Sequence, residues 1–170
     1  MLLALSIGLK LVLIAALGKI GFLDFTLQKI RNNDVLAVVA LSAAVMIVGW
    51  LAGEEPWRIG LGIVAALVLF CLLIPFWIMG KVGAGDVKFM AAAPLVTGGG
   101  DLLLFSIVLL IAAILTAFVV KNPLLLAEGM FRGYIQHLGR KQVVPFGVPI
   151  SAGLIVVLLL QLVRAGSAMV

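Results

Sequence analysis

Cysteine and histidine occur once each in this 170-residue chain, and only seven residues are acidic. The lone Cys71 excludes an intramolecular disulfide, and with one histidine it excludes a Cys/His zinc site. Charged residues are 11% of the chain, against about a quarter in soluble domains. That scarcity excludes a disordered chain and leaves too little charge to cover a water-facing globule of this size. No basic stripe is interleaved with aromatics, so the net charge of +5 does not indicate nucleic acid, and no nucleic-acid partner is expected. The lysine and arginine excess fits instead the basic loops on one side of a membrane protein.

What is abundant is apolar surface. Hydrophobic residues make up 65% of the chain, and the mean hydropathy is +1.35. Four uncharged runs, Val35–Gly53, Ile59–Met79, Leu102–Val120 and Phe146–Val163, are each 18 to 21 residues long. Each is long enough to cross a hydrocarbon core of about 30 Å as a helix. Met1–Leu23 carries Lys10 and Lys19 but lacks a basic start and a clear cleavage site before Asp24, so it reads as a retained first span. Val87–Thr97, between a Gly-rich turn and Gly98-Gly99-Gly100, reads as a short sixth crossing; five spans remain an alternative.

The expected fold is an all-α integral membrane protein. It has about six transmembrane helices and a short interfacial amphipathic helix, in one polytopic domain over 1–170. The interfacial helix is expected in Lys121–Pro145, where Glu128, Arg132, Gln136 and Arg140 recur at four-residue spacing opposite Phe131, Tyr134, Ile135 and Leu138. With the N-terminus outside, the inner loops hold Lys29, Arg31, Lys81, Lys88, Lys121, Arg132, Arg140 and Lys141, and the outer side holds Arg58 and Arg164. That asymmetry sets the expected orientation.

Five of the seven acids have ordinary explanations. Asp34 and Asp101 precede apolar runs as helix N-caps, Glu54 and Glu55 sit in an outer loop, and Glu128 lies on a polar helix face. Asp24 and Asp86 differ. Both stand at the inner boundary of apolar segments on different helices, and ionisable groups near lipid depth are costly unless used. Two neighbouring carboxylates share a proton, so one can take a proton from water while the other donates to a carbonyl oxygen. The same residues admit plainer readings. Asp86 could cap the helix after it, and Asp24 could pair with Lys19 or Lys29. Intramembrane acids also carry protons or cations, so a small transporter or channel component is the alternative, as is a non-catalytic scaffold of a pilus or secretion assembly.

Three motifs in order carry a resemblance. Gly83-Ala84-Gly85-Asp86-Val87-Lys88 is similar to the G-x-G-D-x-K signature of the type IV prepilin peptidases, a family of GxGD membrane aspartyl proteases. Asp24 followed by Lys29-Ile30-Arg31-Asn32 resembles the family's first aspartate and its basic ending, although Arg31 stands where Pro is common. Pro145-Phe146-Gly147 resembles the P-[YF]-G segment opening the last helix.

The resemblance implies an aspartic endopeptidase, a hydrolase of a bacterial inner membrane. It would remove the leader of prepilins or pseudopilins on the cytoplasmic face, with Asp24 and Asp86 catalytic. Gly83, Gly85 and Lys88 would meet the substrate, the glycines by letting its backbone approach. Lys88 reads equally as a snorkelling boundary lysine. No metal and no cofactor are expected. The small size resembles the branch serving tight-adherence (Flp) pili. The longer branch carries CxxC zinc ligands and N-methylates its product; the absence of a CxxC here leaves no expectation of methyl transfer.

Overall fold

The computed structural model describes residues 1–122 and 145–167. They form α1 (Leu2–Leu27), α2 (Asn32–Leu51), α3 (Pro56–Ile78), α4 (Ala84–Thr97), a 3₁₀ turn (Gly99–Asp101), α5 (Leu102–Lys121) and α6 (Gly147–Ser167). No strand occurs among the described residues. The expected interfacial helix and its His137 lie outside the described residues, as do Arg132, Arg140 and Lys141.

Five helices, α1, α2, α3, α5 with its preceding turn, and α6, are long and apolar enough to cross a membrane. The chain is an all-α, multi-pass membrane protein. The sixth helix, α4, has 14 residues, about 21 Å at 1.5 Å per residue, and is too short to cross a core of about 30 Å alone. It compensates by burial. Val87, Phe89, Ala91 to Pro94, Val96 and Thr97 are all enclosed, because α4 lies against α2, α3 and α6. Phe89, Ala92 and Ala93 join Leu13, Leu17 and Ile20 of α1, Val38 of α2 and Ile150, Leu154 and Leu158 of α6 in one core. The outer faces of α3 and α5 remain exposed and apolar, through Leu67, Leu72, Leu110 and Leu115 among others, as lipid-facing surfaces must be.

The helices alternate in direction. Asp24 near the end of α1 meets Gly147 at the start of α6, and Arg58 near the start of α3 meets Gly99 after the end of α4. One end of the bundle therefore collects Lys29, Arg31, Lys81, Lys88 and Lys121, and the other collects Glu54, Glu55, Arg58, Asp101 and Arg164. Gly98, with φ +66°, stops α4. Gly99 then presses on α3 so closely that a Cβ there would lie 2.8 Å from the Arg58 carbonyl oxygen. Beyond this stop a cavity of about 560 Å³ opens, lined by Lys10, Glu54, Arg58, Asp101, Gln161 and Arg164. Gln161 Nε2 donates to the Thr97 carbonyl and to Asp101 Oδ2, each at 2.9 Å, and Arg164 pairs with Asp101 at 2.9 Å. Polar side chains thus occupy the depth that the short helix leaves unfilled.

Of the two expected caps, one is corrected and the other is found in place. Asp34 is not the N-cap of α2; Arg31 is, and Asp34 lies in the first turn, where its carboxylate takes Lys19 Nζ at 2.6 Å. Asp101 does occupy the N-cap of α5, but its side chain makes no cap hydrogen bond and serves Gln161 and Arg164 instead.

Candidate functional site

Asp24 lies in the last turn of α1. Its carbonyl accepts the Gln28 amide at 2.9 Å, and Gln28 turns left-handed (φ 52°, ψ 38°), which ends the helix and redirects the chain. Glycine is the usual residue at such a position, because a side chain there costs about 1–2 kcal/mol. The following Lys29–Arg31 stretch leads into α2 and carries Ile30 across to the Gly-rich turn before α4.

That crossing explains Gly85. A Cβ on Gly85 would lie 3.0 Å from Ile30 Cβ and 3.1 Å from the Ile30 carbonyl oxygen. The bare face of Gly85 is therefore filled by Ile30, which gives the glycine a packing reason besides any role toward a substrate. Gly83 is the N-cap of α4, and a Cβ there would stand 2.7 Å from Asp86 Oδ2. Asp86 is the third residue of the helix, which begins at Ala84 rather than after Asp86. Its carboxylate bends back to the Gly83 amide, one half of a capping box. The plain reading of Asp86 as the cap of a helix that follows it is thus corrected: Gly83 is the N-cap, and Asp86 sits inside the first turn with its carboxylate at the mouth of the turn.

The same bend brings Asp86 into the electrostatic field of Asp24. Asp24 is 4% exposed, and its Oδ2 accepts the Gly147 amide at 2.7 Å, across 123 residues of chain. The Val148 amide also faces it. Gly147 is required by closeness: a Cβ there would lie 2.8 Å from Asp24 Cβ, Cγ and Oδ2. The P-F-G segment was legible as a helix start, but nothing in the sequence indicated that its glycine amide would hold Asp24.

Asp86 stands at the mouth of α4, outside the five long spans. Burial, reinforced by the charge of Asp24 and opposed by the Gly83 amide, pushes its carboxyl up to about 6. Both aspartates line one cleft of about 630 Å³, together with Gly83, Gly85, Lys88, Lys29, Arg31 and Asn32. All five residues singled out from the sequence therefore meet at one place. Lys88 is exposed, and its Nζ donates to Asn32 Oδ1 at 3.0 Å, tying the first turn of α4 to that of α2. Among the described residues no three His, Cys, Asp or Glu side chains group closely enough to hold a metal ion. The cleft can hold an acid and a base near a polar chain at the end of the bundle. No family model, curated protein or solved structure matches the chain.

Proposed function

We propose that this protein is an aspartic endopeptidase that removes the leader of prepilins or pseudopilins at the cytoplasmic face of a bacterial inner membrane. The observation that carries this reading is the convergence of Asp24 and Asp86, from helices far apart in sequence, on one cleft at the lysine-rich end of the bundle. A basic end is the one that stays cytoplasmic.

In this reading the pair holds one proton. Asp86, raised to about 6, serves as the acid, and Asp24, whose Oδ2 accepts the Gly147 amide, serves as the base. Asp24 takes a proton from water as the water oxygen bonds to the scissile carbonyl carbon. The carbonyl oxygen receives the proton of Asp86. The resulting diol collapses as the C–N bond breaks. Asp24 passes its proton to the leaving amine, and Asp86 recovers a proton from the diol hydroxyl that re-forms the carbonyl.

The test is cleavage of a co-expressed prepilin at matched membrane abundance. Asp24→Asn and Asp86→Asn should each reduce leader removal by at least about a hundredfold. Asp34→Asn and Asp101→Asn, whose partners are Lys19 and Arg164, should retain substantial activity. Full cleavage by either of the first two variants refutes the assignment.

A further inference from the structure

Next to the cleft, between α2, α3 and α4, runs a second cavity of about 410 Å³ with an almost wholly apolar lining. Its floor is made of alanines: Ala66 of α3 and Ala91 and Ala92 of α4, all buried. Its rims are larger side chains that stand out from the bundle, Leu36 at 67% exposure on α2 and Leu67 at 60% on α3. It is therefore a groove open to the lipid. Along α4 it runs from Lys88 to Leu95, about 10 Å, or two helical turns. At one end it shares Asn32, Asn33 and Lys88 with the cleft that holds the two aspartates. The Lys88–Asn32 hydrogen bond crosses between the two cavities.

We infer that this groove seats the apolar helix of the substrate, and so presents the polar chain preceding that helix to Asp24 and Asp86. The inference rests on the peptidase reading and adds the place where the substrate is held. Three features favour a polypeptide helix over a lipid tail. The small floor lets another backbone come close, which is how helices associate where no hydrophobic drive exists between them. Two turns of groove match the i, i+3, i+4, i+7 ridge of one apolar helix face. The polar mouth shares Asn32, Asn33 and Lys88 with the aspartate cleft, so an occupant that reaches both is an apolar stretch that continues as a polar chain. A lipid tail ends in a headgroup at the mouth and leaves the cleft unused.

The experiment uses the full chain in phosphatidylcholine vesicles. The probe is a synthetic peptide with a lysine-rich leader followed by a 20-residue Leu/Ala helix. A photo-crosslinking amino acid is placed in the groove, at Leu67 or Phe70, or on the lipid face of α5, at Leu110 or Leu115. Groove positions should capture the probe at least about tenfold more than α5 positions. Ala66→Phe fills the floor and should abolish capture. Leu36→Trp overhangs the rim at an exposed site where folding is not at stake, and should reduce capture severalfold; Leu110→Trp should not. Equal capture from α5, or capture of lipid alone from the groove, overturns the inference.

The two proposals fail separately. If Asp24→Asn stops prepilin cleavage but capture is not confined to the groove, the groove is wrong and the dyad stands. If groove capture holds in the parent while Asp24→Asn and Asp86→Asn cleave normally, the dyad is wrong and the helix site stands.

Discussion

Gly147→Ala is the sharpest test of how the site is assembled, because it leaves both carboxylates in place. A Cβ at this position would lie 2.8 Å from three atoms of Asp24. Ordinary carbon–carbon contact needs about 3.5–4.0 Å, so the start of α6 or the Asp24 side chain must give way by roughly 1 Å. The hydrogen bond from the Gly147 amide to Asp24 Oδ2, 2.7 Å long, is lost with that movement. A misplacement of about 1 Å at a reacting group costs roughly a hundredfold in rate, or about 2.7 kcal/mol of activation free energy. The assay is leader removal from a prepilin in membranes, with protein abundance matched and the unfolding temperature recorded. Gly18→Ala, on the same helix as Asp24 but with nothing within 4 Å of the added carbon, is the control and should cleave like the parent. If Gly147→Ala cleaves within twofold of Gly18→Ala, Asp24 is not positioned by α6 and the reasoning fails.

Three further outcomes follow from the same geometry. Asp86, raised to about 6, holds its proton below that pH and loses it above, so a rate that needs this proton should fall about tenfold per pH unit on the alkaline side of 6; a flat profile from pH 5 to 8 contradicts the acid role. Gly85→Val drives a side chain into Ile30, whereas Ala84→Ser stays exposed, so the first should lose cleavage at least tenfold and the second should not; equal rates would mean that the Ile30 crossing does not hold the turn. In a Cys71→Ala background, a cysteine at Glu54 should react with an impermeant reagent added outside, and one at Lys29 only after permeabilisation; the reverse pattern places the cleft on the wrong face.

Helix positions were legible because lipid makes periodicity unnecessary: a long uncharged run must be a helix. The expected Val35–Gly53, Ile59–Met79, Leu102–Val120 and Phe146–Val163 correspond to α2, α3, α5 and α6 within a few residues. Ends were less legible because they depend on partners. Asp34 follows two asparagines and reads as a cap, yet Lys19, fifteen residues earlier on another helix, determines what its carboxylate does. Asp24 and Asp86 stood out as acids without an ordinary use, and the fold brings them to one cleft. What holds them did not stand out. The Gly147 amide, the Ile30 packing on Gly85 and the alanine-floored groove each join residues from different helices, and no spacing along the chain encodes them.

The short fourth helix ties these features together. At 14 residues it is held by α2, α3 and α6 in the interior, and its polar shortfall is placed at the opposite end, in the Asp101–Gln161–Arg164 network. Its N-terminus can then rest beside the end of α1 and the start of α6. Two helix N-termini face this point, and their partial positive charge favours a carboxylate there. The last turn of α1, whose dipole has the opposite sign, does not favour the second. The proposed sharing of one proton between the two carboxylates suits this meeting of three helix ends. An extension of α4 beyond Thr97 would change the cavity at its far end and leave Asp86 where it is. Moving its start by one residue would turn Asp86 about 100° around the helix axis and separate the pair.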